Sequence, residues 1–283
     1  MNISAAALRS GKTKNIAIIL GDISNPHFSI IIKEIEHKLR EEGYNAFILN
    51  TEERQDFEKT AIISAISKGV DGIILCPVQE SKENIEFLDK KGVPYVLIGR
   101  RFDENSNYVI CDDKNSGKIA AMHMFKENRR KILFLSGPPH ISSAKERLEG
   151  ILEAYREAEI SEDNLSVVEV DITNTEKTIE NILSEHLGFE SVICFNDLIA
   201  MQVCHCLKEL NQKVPQDVSV IGFDDIASKF YFTPMLSSVT ASKRKMSHLA
   251  VKILIEAISE ETITPQNIVL ETALVHRDTT NEV

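Results

Sequence analysis

An α/β fold made of two doubly wound, parallel-sheet lobes is predicted by three features of the sequence. Short apolar runs alternate with stretches of helical periodicity along nearly the whole chain, the pattern of parallel strands joined by right-handed crossover helices. Several of the helical stretches end on glycine, at Gly43, Gly69 and Gly92, where a left-handed residue closes a helix. The pattern completes one set by about Asn128 and starts afresh at Ile132, and 283 residues, 43% of them hydrophobic, suffice for two cores.

The first 14 residues stand outside this pattern. Asn2 to Leu8 has helix propensity without an apolar face, and the basic, flexible stretch from Arg9 to Lys14 reads as a linker. A strand follows over 16–20. Asn25 is then a plausible N-cap with Pro26 at the first helical position, and Phe28, Ile31, Ile32, Ile35 and Leu39 recur at helical spacing up to Gly43. The unit repeats as strand 46–49 with helix 57–67, and as strand 72–75 with helix 81–91. Strand 95–98, a short strand 108–111 and a helix over 115–127 close the first set. The second set runs strand 132–135, helix 142–158, strand 166–170, helix 175–187, strand 192–195, helix 197–210 and strand 218–221. After it the tandem order breaks, with a strand near 236–240, a helix over 243–259 and extended segments at 268–270 and 273–276. The residues alone leave open which lobe receives each of these pieces.

Composition narrows the function. A formal charge of -11 argues against nucleic-acid binding by this chain taken alone, because phosphate contacts need a concentrated basic surface. No apolar run reaches membrane-spanning length and the first fifteen residues lack a signal-peptide core, so a reducing cytoplasm is the expected location. Cys76, Cys111 and Cys194 fall in or beside apolar strands, where a free thiol behaves as a small hydrophobe. Cys204, His205 and Cys206 do not share a helix face and have no second pair at zinc spacing, so no metal site is expected there.

Common catalytic and cofactor motifs are missing: neither a dinucleotide Gly-x-Gly-x-x-Gly nor a phosphate-cradling Gly-x-x-x-x-Gly-Lys follows a strand, and the zinc-protease His-Glu-x-x-His and the Gly-x-Ser-x-Gly elbow do not occur. No cofactor is expected. Gly137-Pro-Pro-His140 reads first as a stiffened loop, since the histidine has no evident partner. What recurs at strand ends is hydrogen-bonding equipment: Asn25, Arg100-Arg101, Asp112-Asp113, Asn196-Asp197 and Asp224-Asp225. In open α/β sheets ligands bind at the carboxyl ends of strands, so fixed polar groups there suit recognition of a polar small molecule without bond chemistry.

Several of these pieces also carry a family likeness. Ile23-Ser-Asn-Pro-His-Phe28, Asp113-Lys-Asn-Ser-Gly117, Arg147-Leu-Glu-Gly150, Phe195-Asn-Asp-Leu-Ile-Ala200 and, above all, Val214-Pro-Gln-Asp-Val-Ser-Val-Ile-Gly-Phe-Asp-Asp-Ile226 occur in order, followed by Pro234, Leu236 and Val239. Nearly the whole chain thereby resembles the effector-binding region of the lactose-repressor/galactose-repressor family of bacterial transcription regulators, similar in fold to periplasmic sugar-binding proteins. The resemblance implies two lobes joined by three crossovers: 15–128 plus 236–260 as the N-terminal lobe, 129–235 plus 261–283 as the C-terminal lobe, and 1–14 as a hinge remnant. It implies effector contacts by Asp224, Asn196 and Arg147, with Ser143 and Phe28 lining the same cleft. From the residues alone, Arg147 on a helix rich in acids reads as a surface ion pair. His27, Ile172 and Ala241 depart from the aromatic or apolar residue, the aromatic and the glutamine that the family often has there.

The resemblance further implies that Asn2 to Leu8 and Thr13 belong to a hinge, with Leu8 matching the residue that wedges into the DNA minor groove. The helix-turn-helix headpiece is absent from this sequence. Its function is expected to be that of the effector-sensing core of a dimeric transcription regulator, binding a small polar molecule, a sugar or sugar derivative, and meeting operator DNA only through the headpiece. A solute-binding protein for a sugar is the alternative. An enzyme on the same scaffold has no nucleophile-base pair to support it.

Overall fold

The computed structural model describes residues 12–171, 176–186, 188–226, 234–259 and 264–283. Residues 1–11 of the hinge stretch, Leu8 among them, and Ile172 lie outside the described residues. The chain divides into two compact units, Met1–Ile110 with Ser242–Leu270 and Cys111–Ala241 with Glu271–Val283.

In the first unit a six-stranded sheet is built from β1 (Asn15–Leu20), β2 (Asn45–Asn50), β3 (Gly72–Leu75), β4 (Tyr95–Ile98), β5 (Tyr108–Cys111) and β11 (Asn267–Leu270), in the order β11-β5-β4-β3-β1-β2. β1 runs parallel to both β2 and β3, and its residues from Ile16 to Leu20 are fully buried, as expected of an apolar run covered on both faces. The helices are α1 (Pro26–Glu41), α2 (Gln55–Ser67), α3 (Glu83–Lys91) and, from the far end of the chain, α8 (Lys243–Ser259). Asn25 caps α1 by accepting the His27 N–H at 2.9 Å, with Pro26 opening the helix. Phe28, Ile31, Ile35 and Leu39 are its buried stripe. α8 packs on α1, and its buried Ser247 hydroxyl donates to the Ile31 carbonyl at 3.3 Å.

The second unit repeats the plan with β6 (Ile132–Ser136), β7 (Leu165–Glu169), β8 (Ser191–Cys194), β9 (Ser219–Phe223), β10 (Ser237–Thr240) and β12 (Ala273–Val275), ordered β12-β10-β9-β8-β6-β7. All its pairings are parallel except that of β10 with β12. Its helices are α4 (Asp113–Lys126), α5 (Ser142–Glu157), α6 (Glu176–Glu185) and α7 (Asp197–Glu209). The Pro-Gln-Asp turn before β9 is clamped from α4's end: the Arg129 guanidinium donates to the carbonyls of Glu190, Gln216 and Asp217 at 2.7, 3.0 and 2.8 Å. That clamp sets where β9 begins and therefore where it stops.

The lobe boundaries differ from those expected. The helix α4 and the strand β10 were assigned to the N-terminal lobe, yet both belong to the second unit, while β11, assigned to the C-terminal lobe, joins the first. The reason for β10 is its ladder: Ser237 and Val239 pair in parallel with Ile221 and Phe223. For α4 it is α5, whose backbone it approaches so closely that a Cβ at Gly117 would meet the Arg147 carbonyl at 2.0 Å, and one at Gly150 the Lys114 carbonyl at 1.8 Å. A four-residue strand carries no mark of which sheet it will join.

Candidate ligand site

The polar side chains of interest in the second unit gather where β8, β9 and β10 stop. β8 is followed by Phe195 and Asn196, and Asn196 caps α7 by accepting the Ile199 N–H at 2.9 Å. β9 ends in Phe223 and is followed by Asp224. Asp224 adopts φ 103°, a left-handed conformation beyond the ordinary αL region and costly for a residue with a Cβ. Its backbone is stapled in place from both sides: its N–H donates to the Val239 carbonyl at 3.1 Å, and its own carbonyl accepts the Thr240 hydroxyl at 3.2 Å. The surrounding sheet thus holds one carboxylate-bearing residue in a conformation it would not choose.

Arg147 reaches the same edge from α5. It is buried, with the guanidinium 4.3 Å from the centre of the Phe223 ring and 5.2 Å from that of Phe195. Its Nε and Nη2 meet one oxygen of Asp113, Oδ1, at 2.8 and 2.7 Å, and Nη1 donates to the Phe195 carbonyl. Burial works against the charge, but the carboxylates of Asp113 and Asp224 outweigh it and keep Arg147 protonated. Ser143, one turn earlier on the same helix, is also buried. The surface ion pair that a helix arginine among acids suggests is therefore a buried one, made with a partner on another helix.

The neighbouring acids have different duties. Asp225 is tied to Arg277 at 2.6 Å, and its N–H donates to Ser238, which fastens the last segment of the chain beside β9. Asp197 is completely buried, accepting the Ser238 hydroxyl at 2.7 Å and the Ile226 N–H at 2.8 Å, and burial pushes its carboxyl well above the usual carboxylate range. Gly137 opens the Pro-Pro loop because the Phe195 ring lies where its Cβ would be, at 2.9 Å, while His140 is exposed. Ala241 follows β10 and is half-buried.

Phe28 belongs to the first unit, buried in the first turn of α1 with His27 edge-on at 5.3 Å. At the strand ends of that unit Arg100 is buried in a paired fork with Glu53, at 2.7 and 3.0 Å, and donates to the Pro77 carbonyl. Asp112, like Asn25, is a helix cap, accepting the Asn115 N–H at 2.9 Å. Of the strand-end polar groups, then, Asn196 and Asp224 share one sheet edge with Arg147 from α5, and Asp113 joins them. Asp113 stands out in the sequence as a strand-end acid without a role, and nothing there marks the two phenylalanine rings as the seat of Arg147. The close-packing glycines Gly117 and Gly150 were the signal available, since they place α4 against α5.

The family model for periplasmic binding proteins and the sugar binding domain of the LacI family matches residues 13–277. The chain belongs to this family. Among its LacI-type relatives, the ribose operon repressor of Lactococcus lactis is 28% identical over 279 residues, covering 98% of this chain and 84% of that protein. The repressor PurR of Actinobacillus pleuropneumoniae is 27% identical, covering 96% and 83%. A LacI-type regulator of Alkaliphilus metalliredigens solved in complex with D-xylulofuranose superposes with a TM-score of 0.83 at 25% identity, covering 95% of this chain and all of that one. CcpA of Lactococcus lactis shares the fold, with a TM-score of 0.83 at 22% identity over 94% and 98% of the two chains. Among the described residues no helix is long and apolar enough to cross a membrane.

Proposed function

We propose that this chain is the sugar-sensing core of a transcription repressor and that Arg147, Asn196 and Asp224, with Ser143 and Phe28, contact the effector. The observation that carries the site is the strained, stapled Asp224 beside a buried, ring-seated guanidinium. A carboxylate accepts two hydroxyl hydrogen bonds, a guanidinium donates a rigid fork and an amide does both, which fixes the orientation of a ring of hydroxyls. The work is recognition, and the cluster contains no nucleophile beside a base. Family membership and the repressor relatives favour a regulatory core over a transport protein, with operator DNA as the eventual partner in the cytoplasm. The bound D-xylulofuranose of the relative and the ribose repressor's name make pentoses the first effectors to test.

A thermal-shift screen of pentoses and hexoses tests the reading, followed by calorimetry on the best. Asp224→Ala is expected to weaken that sugar about a hundredfold, and Asp224→Asn, which tolerates the backbone angle, somewhat less. Unchanged affinity in both variants, with unchanged circular dichroism, refutes the assignment of Asp224. A homodimer is supported by exposed Phe47 and Ile48 on β2 and Val167 on β7, each at an open sheet edge. Sedimentation at micromolar concentration is expected to give twice the 31.8 kDa chain mass.

A further inference from the structure

Beside α8 and the C-terminal end of α1 the first unit carries a groove of about 690 Å³, within the size range of small-molecule sites. Leu249, Ile255 and the aliphatic stems of lysines give it an apolar floor, and Lys38, Arg244, Lys245, His248 and Lys252 surround it. Two carboxylates, Glu42 and Glu256, share the lining. Among the lining residues four lysine and arginine cations face two carboxylates, although the chain as a whole carries -11.

The cations on the two helices are held differently. On α1, Lys38 pairs tightly with Glu42 and Glu41, at 2.9 and 3.1 Å. On α8 the pairs are longer than hydrogen bonds: Arg244 and His248 lie 3.9 and 3.7 Å from Glu34, and Lys252 lies 3.8 Å from Glu256. The Lys245 ammonium has no partner among the described residues, and the buried His248 Nε2 makes no hydrogen bond. Moreover Lys243, Arg244 and Lys245 fill the first turn of α8 behind the cap Ser242, whose hydroxyl accepts the Lys245 N–H at 3.2 Å. Cations at that end oppose the helix dipole, and an anion placed there relieves both conflicts.

We infer that this groove is a second ligand site, for a phosphate-bearing small molecule held by Arg244, Lys245 and Lys252 over the Leu249 floor. All its lining residues belong to the first unit, so it does not depend on the assignment of Arg147, Asn196 and Asp224. The test uses inorganic pyrophosphate as probe, titrated into the isotope-labelled chain at low salt and followed by amide chemical shifts and calorimetry. Shifts confined to α8 and the end of α1, with saturation near about 1 mM, are expected. Lys245→Glu with Lys252→Glu, both exposed positions, should weaken pyrophosphate about a hundredfold while the melting temperature and the sugar response stay the same. Lys208→Glu on the second unit should change nothing. Unaltered affinity in the double variant, shifts scattered over all surface lysines, or no saturable binding overturns the site.

Discussion

Each unit buries one arginine among carboxylates, and the two clusters are closed to different degrees. In the first unit Arg100, 7% exposed, meets both oxygens of Glu53 with two nitrogens, and the nearby Glu58 is itself satisfied by the Val78 N–H and the Asn84 amide at 2.7 and 2.8 Å. Gly21 seals that cluster, for a Cβ there would meet a Glu53 oxygen at 2.0 Å. In the second unit Arg147, 9% exposed, takes only one oxygen of Asp113, lies on two aromatic rings and sits beside the strained Asp224. Burial and charge are alike; the completeness of the pairing is not. A matched fork stabilises a fold, whereas a half-matched one retains donors and acceptors for something else.

The largest effect that would test this contrast is on stability. Arg100→Ala strands Glu53 in the interior and is expected to cost about 3–5 kcal/mol in urea unfolding. Glu53→Leu combined with Arg100→Met should recover most of that loss and leave sugar affinity within about threefold, because an apolar pair replaces a closed one. If the double variant folds but no longer binds sugar, Arg100 is no mere strut and the contrast fails.

The second effect is on binding. Arg147→Lys keeps the charge but loses the planar fork and the ring seating, so sugar affinity should fall about thirtyfold, some 2 kcal/mol, with a smaller loss of stability. Calorimetry and unfolding on the same variant separate the two quantities. Equal losses in Arg147→Lys and Arg100→Lys, in both measurements, would erase the distinction between the clusters.

This contrast also marks what was readable in the sequence. The strands and helices were, because strong periodicity, the Asn25 cap and the glycine stops act within a few residues of one another. The placement of β10 and β11 was not, since two strands of four residues are claimed by whichever sheet edge their crossover reaches. Asn196 and Asp224 stood out from the residues as polar strand ends and took their effector role from family likeness, which also supplied Arg147, for which the residues alone favoured a surface ion pair. Asp113 stands 34 positions from Arg147 in sequence, and only the close approach of α4 to α5 brings them together. Arg100 shows the reverse error, a strand-end polar residue that reads as site equipment and is consumed by Glu53.

A third buried charge, in the second unit, lies at the start of β9, the opposite end from Asp224. Glu127 accepts the Ser219 hydroxyl and the Asn281 amide on Oε2, each at 2.6 Å, while its Oε1 faces the His123 Nε2 at 3.2 Å without a hydrogen bond. Burial alone would push its carboxyl up, but these donors hold it down at about 2, against an ordinary 4.5. A carboxyl depressed in the folded state stabilises the fold above its unfolded value, and that contribution fades as the pH falls from about 4.5 towards 2. Glu127→Gln should therefore cost about 2 kcal/mol at neutral pH, after allowance for solvent screening, and the gap to the natural chain should narrow steadily in urea unfolding below about pH 4. Sugar affinity should not change, because Glu127 meets the start of β9 and Asp224 follows its other end. A gap that stays constant with pH would mean that Glu127 contributes through packing and not through its hydrogen-bond donors.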